Sequence, residues 1–425
     1  MPIEILHLAY ATFPADPRVR REALAARDTG RRVAVVALRS PGAPPVQRQD
    51  GLTVIRLPGR KSRGGFIPYL LQYAAFVWRC RRLVARHPRL RHVQLVHVHT
   101  LPDFLMWAAT PARRRGAKLV FDMHEIFPEF VQSKFRGLAG RAAAAIARAL
   151  ERQARSRADL TIVVNHPIAE LLDTRLIGRP RPERRIVIHN AADPGDFGPS
   201  LPAAPPPPPP PPPHPRGPAA IHLVYHGTLT RLYGVDVAIS SVARARRTGG
   251  GVDVRLTILG DGPQKPELER LIAQLGVAPA VRLEAPLPAN QLPGALRRAD
   301  AGLVPTRLDG MTRYSLSNKL LEYVHLGIPV LAARLPSYDR YLDDASAWFW
   351  SPGDANDLVR AIVAFARSTQ EERAARAAAA QACLRDIAWP LERARLLQAY
   401  DELLTPDVSR SARIPAIRAA ARPSP

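Results

Sequence analysis

Nine consecutive prolines, Pro205–Pro213, stand near the middle of this 425-residue chain, within a proline-rich stretch from Pro199 to Pro218. Such a run has no backbone N–H donors and a fixed φ, so it cannot enter a helix or the interior of a sheet. It extends as polyproline II and acts as a semi-rigid spacer, or as a docking site for a proline-recognising partner. The spacer reading divides the chain into residues 1–198 and 219–404, each long enough to bury a core of its own.

The same alternation runs through both halves. In the first, short β-branched runs at Ile3–Leu8, Arg32–Leu38, Thr53–Leu57, Val93–Val98, Lys118–Phe121, Leu160–Val164 and Ile186–Ile188 are separated by helical patterns, among them Arg18–Asp28, Tyr69–Arg86 and Arg141–Arg157. In the second, Ile221–Tyr225, Val254–Leu259, Val281–Leu283, Ala301–Val304 and Pro329–Ala332 alternate with helices likewise. Near-continuous apolar strands between helices predict parallel sheets covered on both faces. The fold class is therefore α/β, two doubly wound domains in tandem, with ligands expected at the carboxyl ends of the strands. Residues 391–404 predict a final helix packing back toward the first domain, and residues 405–425 a basic, disordered tail.

The formal net charge is +24, and 56 of the 61 basic residues are arginine. A surface of that kind suits an anionic partner: nucleic acid, membrane or a phosphate-bearing substrate. There is no zinc-finger spacing and no RNA-recognition signature, which argues against nucleic acid. Cys80 and Cys383 stand far apart without metal-ligand spacing, so neither a disulfide framework nor a cysteine-built metal site is expected, and a reducing, cytoplasmic setting follows. The start of the chain lacks a basic n-region, and the longest apolar stretch, Phe66–Trp78, is shorter than the ~20 residues that span a bilayer. Residues 66–91 combine aromatic and aliphatic residues with six arginines, a pattern suited to the sheet on one face and an anionic membrane surface on the other.

The richest segment is Ser315-Leu-Ser-Asn-Lys-Leu-Leu-Glu-Tyr-Val-His-Leu-Gly-Ile-Pro-Val330. Ser315 and Ser317 are candidate caps of a helix running to about Leu326. Asn318 and Lys319 fall in its first turn, where free N–H groups and the helix dipole favour an anion by about 0.3–1 kcal/mol per contact. Glu322 lies one turn deeper on the Asn318 face, where a carboxylate can accept from a ribose diol or pair with Lys319 at i,i+3.

This segment resembles the C-terminal signature of family 4 glycosyltransferases, specifically the branch with an Asn-Lys-Leu-x-Glu-Tyr helix. Four other places match in order: Phe13–Ala23; Val96-His-Val-His99 with Phe121-Asp-Met-His-Glu125; Tyr225-His-Gly-Thr-Leu229 with Gly234; and Leu259-Gly-Asp-Gly-Pro263. The resemblance implies the GT-B fold of two facing Rossmann-like domains and retaining, metal-independent transfer from a nucleotide-sugar to a glycan or lipid-linked acceptor. The nucleotide-sugar is then a co-substrate, and no cofactor or metal is expected. It further implies His124 beside the reacting centre and Glu322 on the ribose. Gly227, Thr228, Arg231, Gly260, Tyr314, Ser317, Asn318 and Lys319 would lie on the donor side. Asp16, Arg18, Arg20, His99 and Glu125 would lie on the acceptor side of the cleft. Tyr314 stands where many members carry a first glutamate, and Thr228 and Tyr233 where many carry an arginine and a lysine. Two rivals compete with this reading. A dinucleotide oxidoreductase needs Gly-x-Gly-x-x-Gly after the first strand, where the chain has Ala9-Tyr-Ala-Thr-Phe-Pro14. A non-catalytic relative would bind a nucleotide or a protein partner.

Overall fold

The computed structural model describes residues 2–59, 66–134, 137–175, 183–198, 220–248 and 252–405. The proline stretch 199–218 and the tail from 406 lie outside the described residues.

The first sheet contains β1 (Ile5–Thr12), β2 (Val33–Leu38), β3 (Val46–Gln49), β4 (Leu52–Leu57), β5 (Leu95–His99), β6 (Lys118–Met123), β7 (Leu160–Val163) and β8 (Arg185–Val187), in the order β3-β4-β2-β1-β5-β6-β7-β8. All neighbours are parallel except β3, which runs antiparallel to β4 at the edge. The second sheet contains β9 (Ile221–His226), β10 (Val254–Leu259), β11 (Val281–Glu284), β12 (Ala301–Val304), β13 (Val330–Ala333) and β14 (Trp348–Trp350), in the order β11-β10-β9-β12-β13-β14. Crossover helices cover both faces of each sheet, as parallel pairing requires.

The sequence pattern locates the central strands and misses two edges. β3 is polar and largely exposed, so no burial pattern marks it. β14 is only three residues long, and its Trp-Phe-Trp run has no room for a period. Two helices also begin earlier than expected, at Phe66 and Gly137.

Residues on alternate faces of the first sheet build separate cores. Leu6, Leu8, Val96, Val98, Leu119 and Phe121 pack under the Phe66–Arg86 helix side. On the other face, Ile5, Leu95, Val120 and Leu160 meet Val19 and Ala23 of the Pro17–Asp28 helix. The chain's last helix, Trp389–Leu404, joins this second core. It buries Trp389, Leu396, Ala399, Tyr400 and Leu403 there, and Arg31 pairs with Asp401 at 2.7 Å.

Candidate active site

Sheet register assembles the first side of the site. Pairing of β1 with β5 sets His7 beside His97, and pairing of β5 with β6 sets His99 beside Asp122. His97 and His99, two residues apart on one strand, share a face. His7, His97 and His99 stack with ring centroids 4.2–5.3 Å apart. The Pro17–Asp28 helix then lowers Arg18 and Glu22 onto this row. Asp16 caps that helix by accepting from the backbone of Arg18 and Val19, both at 3.1 Å.

Asp122 is the hub. Its Oδ1 accepts from Arg18 Nη2 at 2.7 Å, and its Oδ2 accepts from Arg18 Nε at 2.8 Å. The same Oδ2 lies 2.9 Å from His124 Nε2 and 3.1 Å from His99 Nδ1. Burial opposes ionisation of this carboxyl, but Arg18 and His124 outweigh it and hold Asp122 well below the usual carboxylate range. Burial likewise opposes a charge on His124, yet the adjacent Asp122 carboxylate raises its pKa above the ordinary histidine value. His99, by contrast, is driven down to about 3 by burial, with His97 adding to the effect. The row thus holds a neutral His99 behind a readily protonated His124.

Two residues expected at the cleft are tied into the fold instead. Arg18 is buried, and it also donates to the Ile188 carbonyl at 2.9 Å and to Asn190 Oδ1 at 3.0 Å. It secures the cleft wall from behind. Arg20 pairs with Asp196 at 2.9 Å and ties the helix to the Pro194–Phe197 turn.

The second sheet supplies the facing side. Its Asn318–His325 helix starts at Ser317, whose hydroxyl makes no capping bond. Ser315, the other expected cap, instead closes the short turn Thr312–Tyr314. Lys319 folds back over the loop after β9: a Cβ on Gly227 would lie 2.7 Å from Lys319 Cε, and Gly227 has φ +121°. The Lys319 ammonium rests 4.0 Å from the Tyr233 ring centre, and burial lowers its pKa to about 8. Glu322 Oε2 lies 3.0 Å from His226 Nε2, but off the hydrogen-bonding line, so both atoms keep unused capacity. Its close partner is therefore the His226 ring, not the i,i+3 lysine.

One interdomain cavity brings together His124 and Glu125 from the first domain with Ser317, Asn318 and Lys319 from the second. A second pocket, which shares His124 and Glu125 with it, adds Asp16 and His99. Gly227, Thr228, Arg231 and Glu322 flank the main cavity without lining it, and Thr228 and Arg231 are exposed. Gly260 packs against the backbone: a Cβ there would lie 2.1 Å from the Gly227 carbonyl, so its bareness serves loop packing. Tyr314 departs furthest from expectation. Its ring packs against the first domain's core, and its carbonyl accepts from Asn165 Nδ2 at 2.8 Å. It is an interdomain latch. Asp122, Asn165, Asn190 and His226 were not among the expected site residues. The His-x-His of β5 followed by Asp-x-His at the end of β6 is the signal that could have revealed Asp122.

Similarity to known proteins follows the same two-part layout. The chain superposes on sucrose-phosphate synthase from Thermosynechococcus elongatus with a TM-score of 0.73 at 16% identity, covering 94% of this chain and 99% of that one. It superposes on Anabaena HepE in complex with UDP and glucose with a TM-score of 0.65 at 16% identity, covering 94% and 99%. The architecture is that of GT-B, two facing Rossmann-like domains. The glycosyl transferase 4-like domain matches residues 15–191, and the glycosyl transferases group 1 model matches residues 220–368. With one model matched on each side of the proline stretch, the chain belongs to the family 4 glycosyltransferases. Among curated relatives, the D-inositol 3-phosphate glycosyltransferase of Arthrobacter sp. (strain FB24) is 28% identical over 72% of this chain and 70% of its own length. The 2-deoxystreptamine glucosyltransferase of Streptomyces kanamyceticus is 25% identical over 74% and 79%.

Proposed function

We propose that this glycosyltransferase moves a sugar, with retention of anomeric configuration, from a nucleotide-sugar to a glycan or lipid-linked acceptor in bacterial cell-surface polysaccharide or glycolipid synthesis. Residues 219–390 form the donor domain and residues 1–198 the acceptor domain. The observation that carries the proposal is the single cavity in which His124 and Glu125 face Ser317, Asn318 and Lys319 across the domain boundary.

Each group has a task in this reading. The first turn of the Asn318–His325 helix and the Lys319 ammonium receive the diphosphate, so charge building on the leaving group meets donors already in place. Glu322, with an oxygen unused beside His226, accepts from the ribose hydroxyls. His124, held by Asp122, orients the sugar at the reacting centre. Contacts such as Asn165 to Tyr314, and His166 N–H donating to Tyr341 Oη at 2.7 Å, keep the domains closed and limit donor hydrolysis.

The acceptor side has a basic, apolar rim. On the Phe66–Arg86 helix, Leu71 and Trp78 are 64% and 58% exposed, and Arg82 lies 5.6 Å from the Trp78 ring centre. Among the described residues no helix is long and apolar enough to cross a membrane. Leu71, Trp78 and the neighbouring arginines support peripheral attachment at an anionic cytoplasmic leaflet, where a lipid-linked acceptor resides.

The test is a panel of nucleotide-sugars with lipid-linked acceptors, monitored for nucleoside diphosphate release by the wild type and Glu322→Ala. Release that the variant loses supports the proposal. The capture of Tyr314 by the first domain leaves its position without a carboxylate and favours one other reading, a non-catalytic nucleotide binder. Nucleotide binding with no release across the panel would establish that reading in its place.

A further inference from the structure

The chain carries a net charge of +24, yet the pocket beside His124 is lined on different terms. It lies at the carboxyl ends of β1, β5 and β6, where Asp16 and Glu125 meet His99 and His124. Its apolar wall is Tyr10, Tyr73 and Phe130, and the Tyr10 and Tyr73 rings meet edge to face with centres 4.5 Å apart. Among the described residues that line it there is no lysine and no arginine. Its volume, about 350 Å³, is within the range of small-ligand sites.

Asp16 is fixed in direction and in charge. Its Oδ1 accepts from the backbone N–H groups of Arg18 and Val19, both at 3.1 Å, so the half-buried carboxylate does not turn away. Oδ2 takes no part in that cap and is left to a ligand. Burial opposes ionisation of Asp16, but His124 and the two backbone donors outweigh it and lower its pKa. The positive charges nearby are already committed. His124 pairs with Asp122 at 2.9 Å, and Arg18, behind the wall, spends its guanidinium on both oxygens of the same residue. Burial holds His99 neutral. With two carboxylates and one protonatable imidazole, the lining offers acceptors to hydroxyl groups and no free cation for a phosphate or carboxylate to claim.

We infer that this pocket receives the terminal sugar of the acceptor, and that this sugar carries no phosphate and no carboxylate. Asp16 Oδ2 and Glu125 accept from its hydroxyl groups, and the aromatic wall takes the C–H face of the ring. An anionic substituent would face Asp16 and Glu125 without a counter-ion, in a partly desolvated pocket where like charges repel more strongly than in water. A phosphate further along a long acceptor, such as a link to lipid, falls outside this pocket. The inference rests on the reading of residues 1–198 as the acceptor domain and adds the chemical class of what that domain holds.

The experiment reads binding, not turnover, on the full-length chain. Saturation-transfer NMR compares the methyl α-glycosides of glucose, mannose and galactose with glucose 6-phosphate, mannose 6-phosphate and glucuronic acid. Each probe is read in the Lys319→Met background, where the donor-side cation no longer collects anions. At least one uncharged sugar should bind about tenfold or more tightly than its anionic counterparts. Asp16→Asn keeps an N-cap of equal rank and, combined with Glu125→Gln, should shrink that preference about tenfold. Anionic probes that bind as tightly as the uncharged ones, a preference that the two substitutions leave intact, or no binding by any uncharged sugar overturns the inference. The preference is read first without those two substitutions, so a variant that fails to fold does not decide the outcome. Selective binding of uncharged sugars with no turnover of any nucleotide-sugar would remove the transfer reading and leave this inference standing; turnover onto a phosphorylated terminal sugar would do the reverse.

Discussion

The Lys319 ammonium stands 4.0 Å from the centre of the Tyr233 ring and 5.3 Å from that of Tyr225. Tyr233 occupies the place at which many family members carry a lysine. Here the cation arrives from the opposite side of the loop, on the first turn of the Asn318–His325 helix, and the aromatic face holds it in position. In the proposed donor site the positive charge would come from that helix and not from the loop. Removing it tests that exchange. Lys319→Met should lower kcat/KM for the donor by roughly 10–100-fold, the range expected for a hydrogen bond to a charged group.

The same lysine sets an alkaline limit. Its pKa is lowered to about 8, so the charged form is full below that pH and is lost as pH rises through it. In the pH profile of kcat/KM, which reports the free enzyme, donor use should fall above about pH 8. Lys319→Arg keeps its charge throughout. Its profile should stay flat past pH 9; a wild-type limb that the arginine leaves in place would assign the ionisation elsewhere.

His124 touches the cavity, and Asp122 supports it. His124→Ala should reduce kcat by about 10²–10³-fold, the usual effect of losing one preorganised polar group at the reacting centre. KM for the donor should stay nearly constant, because the proposed diphosphate site lies on the other domain. Steady-state kinetics with the donor that the panel identifies would show the split.

Arg18 lies behind the wall, and its loss acts on stability. Arg18→Met leaves Asp122 and Glu22 without their buried cation, a change that costs about 3–5 kcal/mol. The urea midpoint should drop accordingly. An unchanged midpoint would show that the buried charges do not depend on the guanidinium.

Leu396 is fully buried on the last helix, among residues of the first domain. Leu396→Ala should destabilise that domain by about 2–5 kcal/mol through lost burial and the cavity left behind. Limited proteolysis should then cut first within residues 1–198, with the second sheet remaining protected.

These residues also show what a linear pattern can and cannot carry. Central strands such as Val254–Leu259 are legible because burial on both faces demands a continuous apolar run. The edge strand Val46–Gln49 faces solvent and meets no such demand. The Asn318–His325 helix is equally legible, since its start, its lysine and its glutamate lie within one short segment. Arg18 was not. Its destination depends on Asp122, 104 residues away in sequence, which only the pairing of β5 with β6 brings under the first helix. Tyr314 likewise looked like a donor-side residue, because nothing local reveals that Asn165 of the other domain captures its carbonyl.

The return of the Trp389–Leu404 helix has a consequence for biosynthesis. The second lobe draws its strands and covering helices from the stretch Ile221 to Ile387, and can close once that stretch has left the ribosome. The first lobe has no such freedom. Its strands emerge early, but the apolar side of the Pro17–Asp28 helix and the ring of His97 wait for Leu396 and Tyr400, which are translated after the whole second sheet. Completion of the two lobes therefore runs opposite to the order of their synthesis, and a nascent chain stalled before residue 389 displays an uncovered seam for chaperones to hold.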